Sequence, residues 1–402
     1  MPNQHKLYLN YLCGIIPAFI LIIPASAEIA FAILFIWSLI YCYQYKLTPF
    51  SYNSSKIILA ICGSYFIIAL LSILLSDISL YAFKRLGTNI HFLAAPWISV
   101  LFVKNINLKT LNYSIKIGAI LAGGIALIQF FHINIRAHGV VNAIFFGNIA
   151  LLFSFFSLIN IHEETRRHQF FSVLSFVLGF TAVILSLSRG AWISIPFLSI
   201  LLLFIWRKKS AISFKLFWGL IFISMLTITG ASLSPQINSR FSSIQKEINN
   251  FEKNNLTSTG RRIILWETAI KAISEQPIKG FGLHNSKKVM SEFIGDPDLK
   301  KEILIHPHFH NQYLIELVGK GIPGLISLLL LLLLPLILSY KLLATPNILF
   351  PSSIILMLCT SNILWGLTDA SLGHGITNTF FIFMLSASSI SFNLLQNSEI
   401  SE

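Results

Sequence analysis

Residues 322–340 read IPGLISLLLLLLLPLILSY, a run of apolar side chains without a charged residue. A helix needs about 20 such residues to cross the hydrocarbon core of a bilayer. Comparable runs recur from one end of the chain to the other, and together they predict twelve transmembrane helices. The predicted spans are Leu7–Pro24, Ala27–Tyr43, Ile57–Ser76, Leu86–Val103, Tyr113–Phe131, Val140–Asn160, Phe170–Leu187, Ala191–Trp206, Ile212–Ser232, Ile322–Tyr340, Ile348–Leu367 and Gly375–Phe392.

The composition of the 402-residue chain agrees with this reading. Hydrophobic residues make up 55% and charged residues only 11%, whereas soluble proteins carry about 25% charged residues. These values exclude a cytosolic enzyme, a nucleic-acid-binding module and a disordered chain. The four cysteines lie far apart within apolar runs, which indicates neither a disulfide nor a metal site. The sequence therefore predicts an all-α integral membrane protein.

The distribution of lysine and arginine predicts the orientation. Alternate short loops are strongly basic, and such loops stay in the cytoplasm. They contain Lys46, Lys56, Lys104, Lys109, Arg166, Arg167, Arg207, Lys208, Lys209 and Lys341. Both termini are then cytoplasmic in a multi-pass protein of the bacterial inner membrane. The predicted organisation is helices 1–9 in residues 1–232, a periplasmic loop in residues 233–310, and helices 10–12 in residues 311–402.

The long polar loop is predicted to fold as a helical cap on the membrane surface. Apolar residues follow helical spacing from Arg262 to Ile273 and stop at Pro277 and Gly280. A second helical piece is predicted over His284–Phe293. Polar loops of this length are usually functional or disordered, and this one is not of low complexity.

Cations on the outer side are disfavoured by topology, so each requires an explanation. Arg189 lies in the tight turn SRGAW, residues 188–192. It either reaches the lipid headgroups or captures a phosphate that arrives in the membrane plane. Arg261 and Arg262 begin a helix, where the helix dipole prefers anions; they form either a solvated basic turn or part of an anion site. Lys84, Arg85 and Arg136 are further outer cations and candidates for substrate binding.

Histidines cluster in the segment HPHFHN, residues 306–311. Alternating histidines can bind zinc, but no cysteine or carboxylate in the stretch completes a ligand set and Pro307 limits the geometry. A single histidine, His310, is a candidate general base because a neutral imidazole takes a proton near pH 7. A hydrogen-bonded histidine at the membrane interface is the structural alternative.

Three motifs, which follow one another along the chain between residues 188 and 324, resemble those of bacterial O-antigen ligases and the related O-antigen polymerases. His310-Asn311, followed nine residues later by Gly321-Ile-Pro-Gly324, is similar to their H-N-x9-G-x-x-G signature. The segment from Arg262 through Trp266 to Gly280-Phe-Gly282 resembles a second family stretch, and SRGAW resembles the turn before their periplasmic loop. The similarity covers residues 181–325 by motif and the remainder by topology.

The resemblance implies a metal-independent, inverting glycosyltransferase. The donor would be O-antigen polysaccharide on undecaprenyl diphosphate, and the acceptor a sugar hydroxyl of lipid A–core. Arg189 and Arg262 would bind the diphosphate and His310 would act as the general base, without a cofactor. Asn311, Trp266 and Arg261 are further candidates for substrate binding. An O-antigen polymerase is the alternative, an enzyme that glycosylates protein hydroxyls is a third relative, and a lipid-linked glycan flippase fits less well.

Overall fold

The computed structural model describes residues 1–76, 78–208, 218–219 and 257–395, and its regular elements are helical. The helices in chain order are α1 (Asn3–Phe19), α2 (Ser26–Tyr45), α3 (Asn53–Leu74), α4 (Leu80–Gly87), α5 (Ile90–Val103), α6 (Leu108–Leu127), α7 (Ala143–Leu158), α8 (Arg166–Leu185), α9 (Arg189–Lys208), α10 (Ser258–Glu275), α11 (Ser286–Phe293), α12 (Pro297–Ile303), α13 (Gln312–Leu342), α14 (Leu349–Gly366) and α15 (Gly375–Ser388).

The helical membrane-protein class predicted from the sequence is confirmed. Within the described residues, 10 helical stretches are long and apolar enough to cross a membrane. The 17-residue helix α1 packs against α2 and α6 beside them. Eleven of the twelve predicted spans thus correspond to helices of the bundle. The remaining one, Ile212–Ser232, lies outside the described residues apart from positions 218 and 219.

One predicted span differs from the structure at its start. The stretch that was expected to begin at Leu86 is preceded by a separate short helix, α4, which ends at Gly87 before α5 begins at Ile90. Ser79 caps α4 by accepting a hydrogen bond from the amide of Ala82 at 3.1 Å. The amphipathic α4 carries exposed Leu80 and Phe83. A surface helix with such side chains suits the boundary between lipid and water.

The short connections between helices divide the bundle into two faces. Residues 20–25, 133–142, 186–188, 257–311 and 367–374 lie on one face, called here the loop face; the amide of Val140 donates to Leu21 at 3.2 Å and that of Ala137 to Leu185 at 3.1 Å. Residues 46–52, 104–107 and 159–165 lie on the opposite, basic face, where Asn10 donates to the carbonyl of Asn105 at 3.1 Å. All described long connections therefore gather on one side.

Helices α10, α11 and α12 form a cap with its own small core. Leu265, Met290, Ile303 and Phe309 are each fully buried in this cluster, together with Val318 at the start of α13. The short α12 was not predicted from the sequence; Asp296 caps it through the amides of Asp298 and Leu299. Because Val318 belongs to α13, the cap core is continuous with the beginning of a membrane helix.

The glycines of two sequence motifs dock the cap onto α13 through the backbone. The amide of Phe281 donates to Val318 at 2.7 Å, Gly282 to Gly319 at 2.9 Å, and Ile322 to Pro277 at 2.8 Å. Helix α13 is interrupted at Gly321, whose φ of 63° and ψ of −163° suit glycine almost alone. The interruption leaves the carbonyls of Val318 and Gly319 and the amide of Ile322 to pair with the cap. The Gly280-Phe-Gly282 motif and the Gly321-Ile-Pro-Gly324 motif therefore form the two sides of one interface.

Replacing Gly321 by alanine is expected to weaken this interface severely. A Cβ atom there would lie 2.0 Å from the carbonyl oxygen of Ile278, and the backbone conformation alone costs an alanine about 1–3 kcal/mol. Gly321→Ala should lower the melting temperature of the solubilised protein. Gly295→Ala is the matched control in the same cap, because no atom lies within 4 Å of its added methyl group. Equal melting temperatures for the two variants would contradict this reading.

Candidate active site

A cavity on the loop face contains three arginines. It has a volume of about 160 Å³ and is lined by Arg136, Ile144, Leu187, Ser188, Arg189, Gly190, Arg262, Thr368 and Asp369. These residues come from four separate parts of the chain. Arg189 and Arg262, which belong to two different sequence motifs, line the same cavity. The hollow is called here the arginine cavity.

The turn before α9 positions Arg189. Leu187 has a φ of 53°, a left-handed conformation that non-glycine residues adopt rarely. Gly190 allows a close approach, since a Cβ atom there would lie 2.7 Å from the hydroxyl of Thr368. The start of α9 is thus held against the turn that carries Asp369. Free amides at a helix start favour anions, so Arg189 and the helix terminus act in the same direction.

Helix α10 links Arg262 to the histidine segment. Arg262 and Trp266 are four residues apart and share one side of the helix. The indole Nε1 of Trp266 donates to the carbonyl of Phe309 at 3.1 Å, which fixes the backbone immediately before His310. Thr257 caps the helix by accepting from the amide of Gly260 at 3.0 Å. The R-x-x-x-W motif therefore couples the position of an arginine to that of a histidine.

Arg261 points to a different neighbour. Its Nη2 atom lies 3.2 Å from Oε2 of Glu302 in a partly exposed ion pair within the cap. Adjacent helical residues diverge by about 100°, which explains why Arg262 lines the cavity and Arg261 does not. Substrate binding by Arg261 stays a prediction, and in this structure its guanidinium pairs with Glu302.

His310 is held by a carboxylate that lies 59 positions further along the chain. Its Nδ1 atom is 3.2 Å from Oδ1 of Asp369, which also accepts the amide of Ala370 at 2.8 Å. His310 itself has a φ of 49°, the second left-handed non-glycine residue at the site. Because the arginine cavity includes Asp369, this contact joins the imidazole to the arginines.

The protonation of the group follows from its hydrogen bonds. Burial raises the pKa of the Asp369 carboxyl, but the hydrogen bond from His310 and the adjacent imidazoles outweigh it and leave the pKa below its ordinary value. An ionised carboxylate can only accept, so His310 donates through Nδ1, and Nε2 is the nitrogen that can take up a proton. Burial lowers the pKa of His308 to about 3, so this ring is neutral.

His306 covers the basic nitrogen of His310. Its Nδ1 atom lies 3.1 Å from Nε2 of His310 and is the donor in this tautomer. Burial, His310 and the two arginines at the start of α10 lower the pKa of His306, which keeps it neutral. Any ligand group that reaches Nε2 of His310 must therefore take the place of His306.

His308, His310 and Asp369 could each offer one ligand atom to a metal, within 4.8 Å of one another. The hydrogen bonds do not fit such a site. The Nδ1 atom of His308 accepts the amide of His310 at 3.2 Å, so it carries no proton. Nε2 must then keep the ring proton, and only an imidazolate could bind a metal there. The donor set thus suits a hydrogen-bonded carboxylate better than a metal ion.

The remaining predicted residues lie in different surroundings. Asn311 caps α13 by accepting the amides of Tyr313 and Leu314. Arg136 lines the arginine cavity, and its Nε donates to the carbonyl of Ser186. Lys84 is exposed on α4. Arg85 lines a second cleft, beside His308.

Asp369 is the residue that sequence reasoning left without a role. No local motif surrounds it, because its partner His310 lies on the far side of two membrane helices. One signal was available: Asp369 is the only acidic residue between Glu316 and Glu399. An isolated carboxylate between two apolar helices is costly and therefore a functional candidate.

This arrangement combines an anion site with a base. Arg136, Arg189 and Arg262 surround a space that suits a phosphate, because guanidinium groups bind its oxygens through a rigid fork of donors. The adjacent imidazole, oriented by Asp369, has its lone pair available for a proton once His306 moves. Anion capture and proton abstraction are thus possible at neighbouring points.

Comparison with known proteins agrees with these features. A family model described as "O-Antigen ligase" matches residues 174–329, which include Arg189, Arg262 and His310. A Haemophilus influenzae protein described as uncharacterized is 30% identical over 390 residues, covering 93% of this chain and 95% of that protein. The "ComP-specific O-oligosaccharyltransferase" of Acinetobacter baylyi is 26% identical over 184 residues, which are 45% of this chain and 32% of that protein. With its motifs, its helical bundle and these relatives, the chain belongs to the O-antigen ligase superfamily.

Proposed function

We propose that the protein is a glycosyltransferase that moves O-antigen polysaccharide from undecaprenyl diphosphate to a sugar hydroxyl of lipid A–core. The observation that carries this proposal is the continuity of the arginine cavity with the Asp369–His310 pair. The cavity suits the diphosphate of the donor, and the imidazole suits the acceptor hydroxyl. The family match supports a transferase of lipid-linked glycans.

In the proposed reaction the acceptor oxygen attacks the anomeric carbon of the donor glycan. The bond from this carbon to the diphosphate oxygen breaks, and its electron pair leaves with the diphosphate. Arg189 and Arg262 stabilise the negative charge that develops there, an effect worth about 2.7–4 kcal/mol for a well-placed donor. His310 takes the hydroxyl proton on Nε2, and Asp369 keeps the ring in the required tautomer. Attack opposite the leaving group inverts the anomeric centre.

The proposed orientation places the loop face in the periplasm and both termini in the cytoplasm of the inner membrane. The basic face carries the lysines and arginines that the positive-inside rule expects on the cytoplasmic side. Residues 233–310 would then form the periplasmic domain between the ninth and tenth of the twelve predicted membrane spans. Two amphiphilic substrates can meet at this face without leaving the membrane.

The acceptor distinguishes the proposed function from its alternatives. An O-antigen polymerase would use a lipid-linked glycan as the acceptor, and the Acinetobacter baylyi relative is named for an oligosaccharyltransferase specific for ComP. Lipopolysaccharide from a strain lacking this gene separates these cases on a gel. Loss of all attached glycan, with lipid-linked polymer accumulating, is expected for the ligase. Core bearing a single repeat would indicate a polymerase, and unchanged lipopolysaccharide would favour another acceptor.

The purified protein provides the second part of this test. Transfer from the lipid-linked donor to lipid A–core should continue in EDTA, because two guanidinium groups take the place of a divalent cation at the diphosphate. Loss of transfer in EDTA that added Mg²⁺ or Zn²⁺ restores would contradict the metal-independent mechanism.

A further inference from the structure

A second polar hollow flanks the turn that carries Asp369. It has a volume of about 50 Å³ and is called here the Arg85 cleft. Its polar lining includes Arg85, Asn89, Ser286, His308, Gln312 and Glu316. Its apolar and backbone walls include Ala370, Leu372 and Gly373, whereas Thr368 and Asp369 line the arginine cavity. The two hollows therefore lie on either side of the 368–373 turn.

Different helices supply the other walls of the two hollows. The arginine cavity is built from α7, α9, α10 and the connections that precede α7 and α9. The Arg85 cleft is built from α3, α4, α11, α13 and the connections that follow α4 and precede α11 and α13. Only the 368–373 turn contributes to both. A displacement with inversion needs its leaving group and its nucleophile on opposite sides of the reacting carbon. The two hollows are separate spaces on either side of the turn whose Asp369 contacts His310, so donor and acceptor could bind in different spaces.

The floor of the cleft is a buried ion pair inside a membrane helix. Glu316 is paired with Lys320, and both side chains are at most 2% exposed. Oε1 of Glu316 accepts from the Tyr65 hydroxyl and from Nε2 of Gln312, each at 2.8 Å. The Lys320 ammonium lies 3.9 Å from the centroid of the Tyr65 ring. Charged pairs at this depth are costly and usually mark a functional site.

This network also fixes the turn that carries Asp369. Oε1 of Gln312 accepts the amide of Leu372 at 3.1 Å. Both ends of the Gln312 amide are therefore occupied, one by Glu316 and the other by the turn. The Glu316–Gln312 pair and the His310–Asp369 pair each make a hydrogen bond to the same turn, at Leu372 and Ala370, so a ligand in the cleft meets a fixed floor beside the histidines.

The mouth of the cleft is cationic and opens beside an apolar surface helix. Arg85 lies on α4 with its guanidinium carbon 5.7 Å from the centroid of the Tyr81 ring. Arg85 lines the cleft together with His308. Leu80 and Phe83 on the same helix are exposed. A lipid-borne anionic ligand matches both properties of this entrance.

Resting on the proposed glycan transfer, we propose that the Arg85 cleft is the acceptor subsite. It takes the hydroxyl-bearing edge of a lipid-borne anionic saccharide, while the arginine cavity takes the diphosphate of the donor. The side-chain amide of Asn89 and the hydroxyl of Ser286 pair with sugar hydroxyls, and Arg85 pairs with a phosphate or carboxylate on the acceptor. The small volume suits one edge of a sugar, with the rest of the ring outside the cleft.

The test compares how the two substrates saturate the enzyme. In purified Arg85→Gln protein, the KM for lipid A–core should rise about tenfold or more, since hydrogen bonds to charged groups are strong. The KM for the lipid-linked donor should stay within about twofold of its original value, and kcat should change little. Lys287→Gln removes the same charge from an exposed position on neighbouring α11 and serves as the control. An unchanged acceptor KM, or an equal rise for the donor, overturns the assignment.

A binding measurement separates this proposal from the proposed function. Lipid A–core alone is titrated into the wild-type protein and into Arg85→Gln, without donor. Weaker binding to Arg85→Gln supports the cleft even when the wild-type protein transfers no glycan, an outcome that would refute only the ligase function. Equal binding to both proteins, or no binding to the wild type, overturns the subsite.

Discussion

Asp369→Asn is expected to lower the rate of glycan transfer by about 10³–10⁴-fold, the scale seen when a carboxylate that orients a catalytic histidine is made neutral. The carboxylate accepts the Nδ1 proton of His310 at 3.2 Å. An asparagine amide can donate to Nδ1 instead, which places the ring proton on Nε2 and removes the base. The decrease should appear in kcat, whereas the KM values for donor and acceptor should change little.

The variant Glu292→Gln provides the matched control for this prediction. Glu292 is an exposed carboxylate on α11, and neutralising it should leave kcat within about twofold, as surface changes usually do. A melting curve for Asp369→Asn establishes that the protein is folded. Normal kcat in a folded Asp369→Asn protein would show that His310 does not depend on this carboxylate.

The dependence of stability on pH gives Asp369 a further readout. Because its pKa is below the ordinary value in the folded protein, the ionised carboxylate stabilises the fold above the unfolded pKa. This stabilisation is lost as the pH falls through the folded pKa. Asp369→Asn should therefore reduce the acid sensitivity of the melting temperature, and an unchanged acid profile would indicate that the carboxylate is not held as described.

Arg189→Ala and Arg262→Ala are each expected to lower kcat by about 10²–10³-fold, because each removes a donor from the developing charge on the diphosphate. Lysine at either position keeps the charge but not the bidentate fork, so it should restore only part of the rate. Since both side chains line one cavity, the effects should not add in the double variant. Rates of single-turnover transfer at saturating donor measure these effects.

Arg261→Ala is the control for Arg262→Ala. Arg261 is adjacent to Arg262 in sequence but faces Glu302 in the cap. Arg261→Ala should therefore affect stability slightly, as partly exposed ion pairs do, and should change kcat much less than Arg262→Ala. Equal losses at both positions would mean that the ligand lies along the start of α10 and not in the arginine cavity.

Much of the fold follows from the sequence because a bilayer imposes a simple length rule. The apolar runs predicted the helices of the bundle, and the basic loops grouped the connections into two faces. The short α4 before α5 was not anticipated, because its apolar residues merge with the following run. Helix α12 is too short for its periodicity to be recognised among the polar residues of the cap.

The site was predictable only where local motifs mark it. Arg189, Arg262 and His310 stand in recognisable stretches, and they lie around one point of the loop face. Asp369 escaped prediction because a hydrogen bond between distant turns leaves no local pattern. The pairing of Phe281 and Gly282 with the interrupted part of α13 likewise depends on tertiary contact, although both motifs were visible in the sequence.

The central claim is that the donor diphosphate binds between Arg189 and Arg262 with the glycosidic bond facing His310. A cryo-EM structure of the protein in nanodiscs, bound to undecaprenyl diphosphate carrying one glycan repeat, tests it most directly. We expect phosphate oxygens within hydrogen-bond distance of both guanidinium groups, and the first sugar next to His310 and Asp369. A diphosphate bound elsewhere on the loop face, or in the membrane away from both arginines, would contradict it.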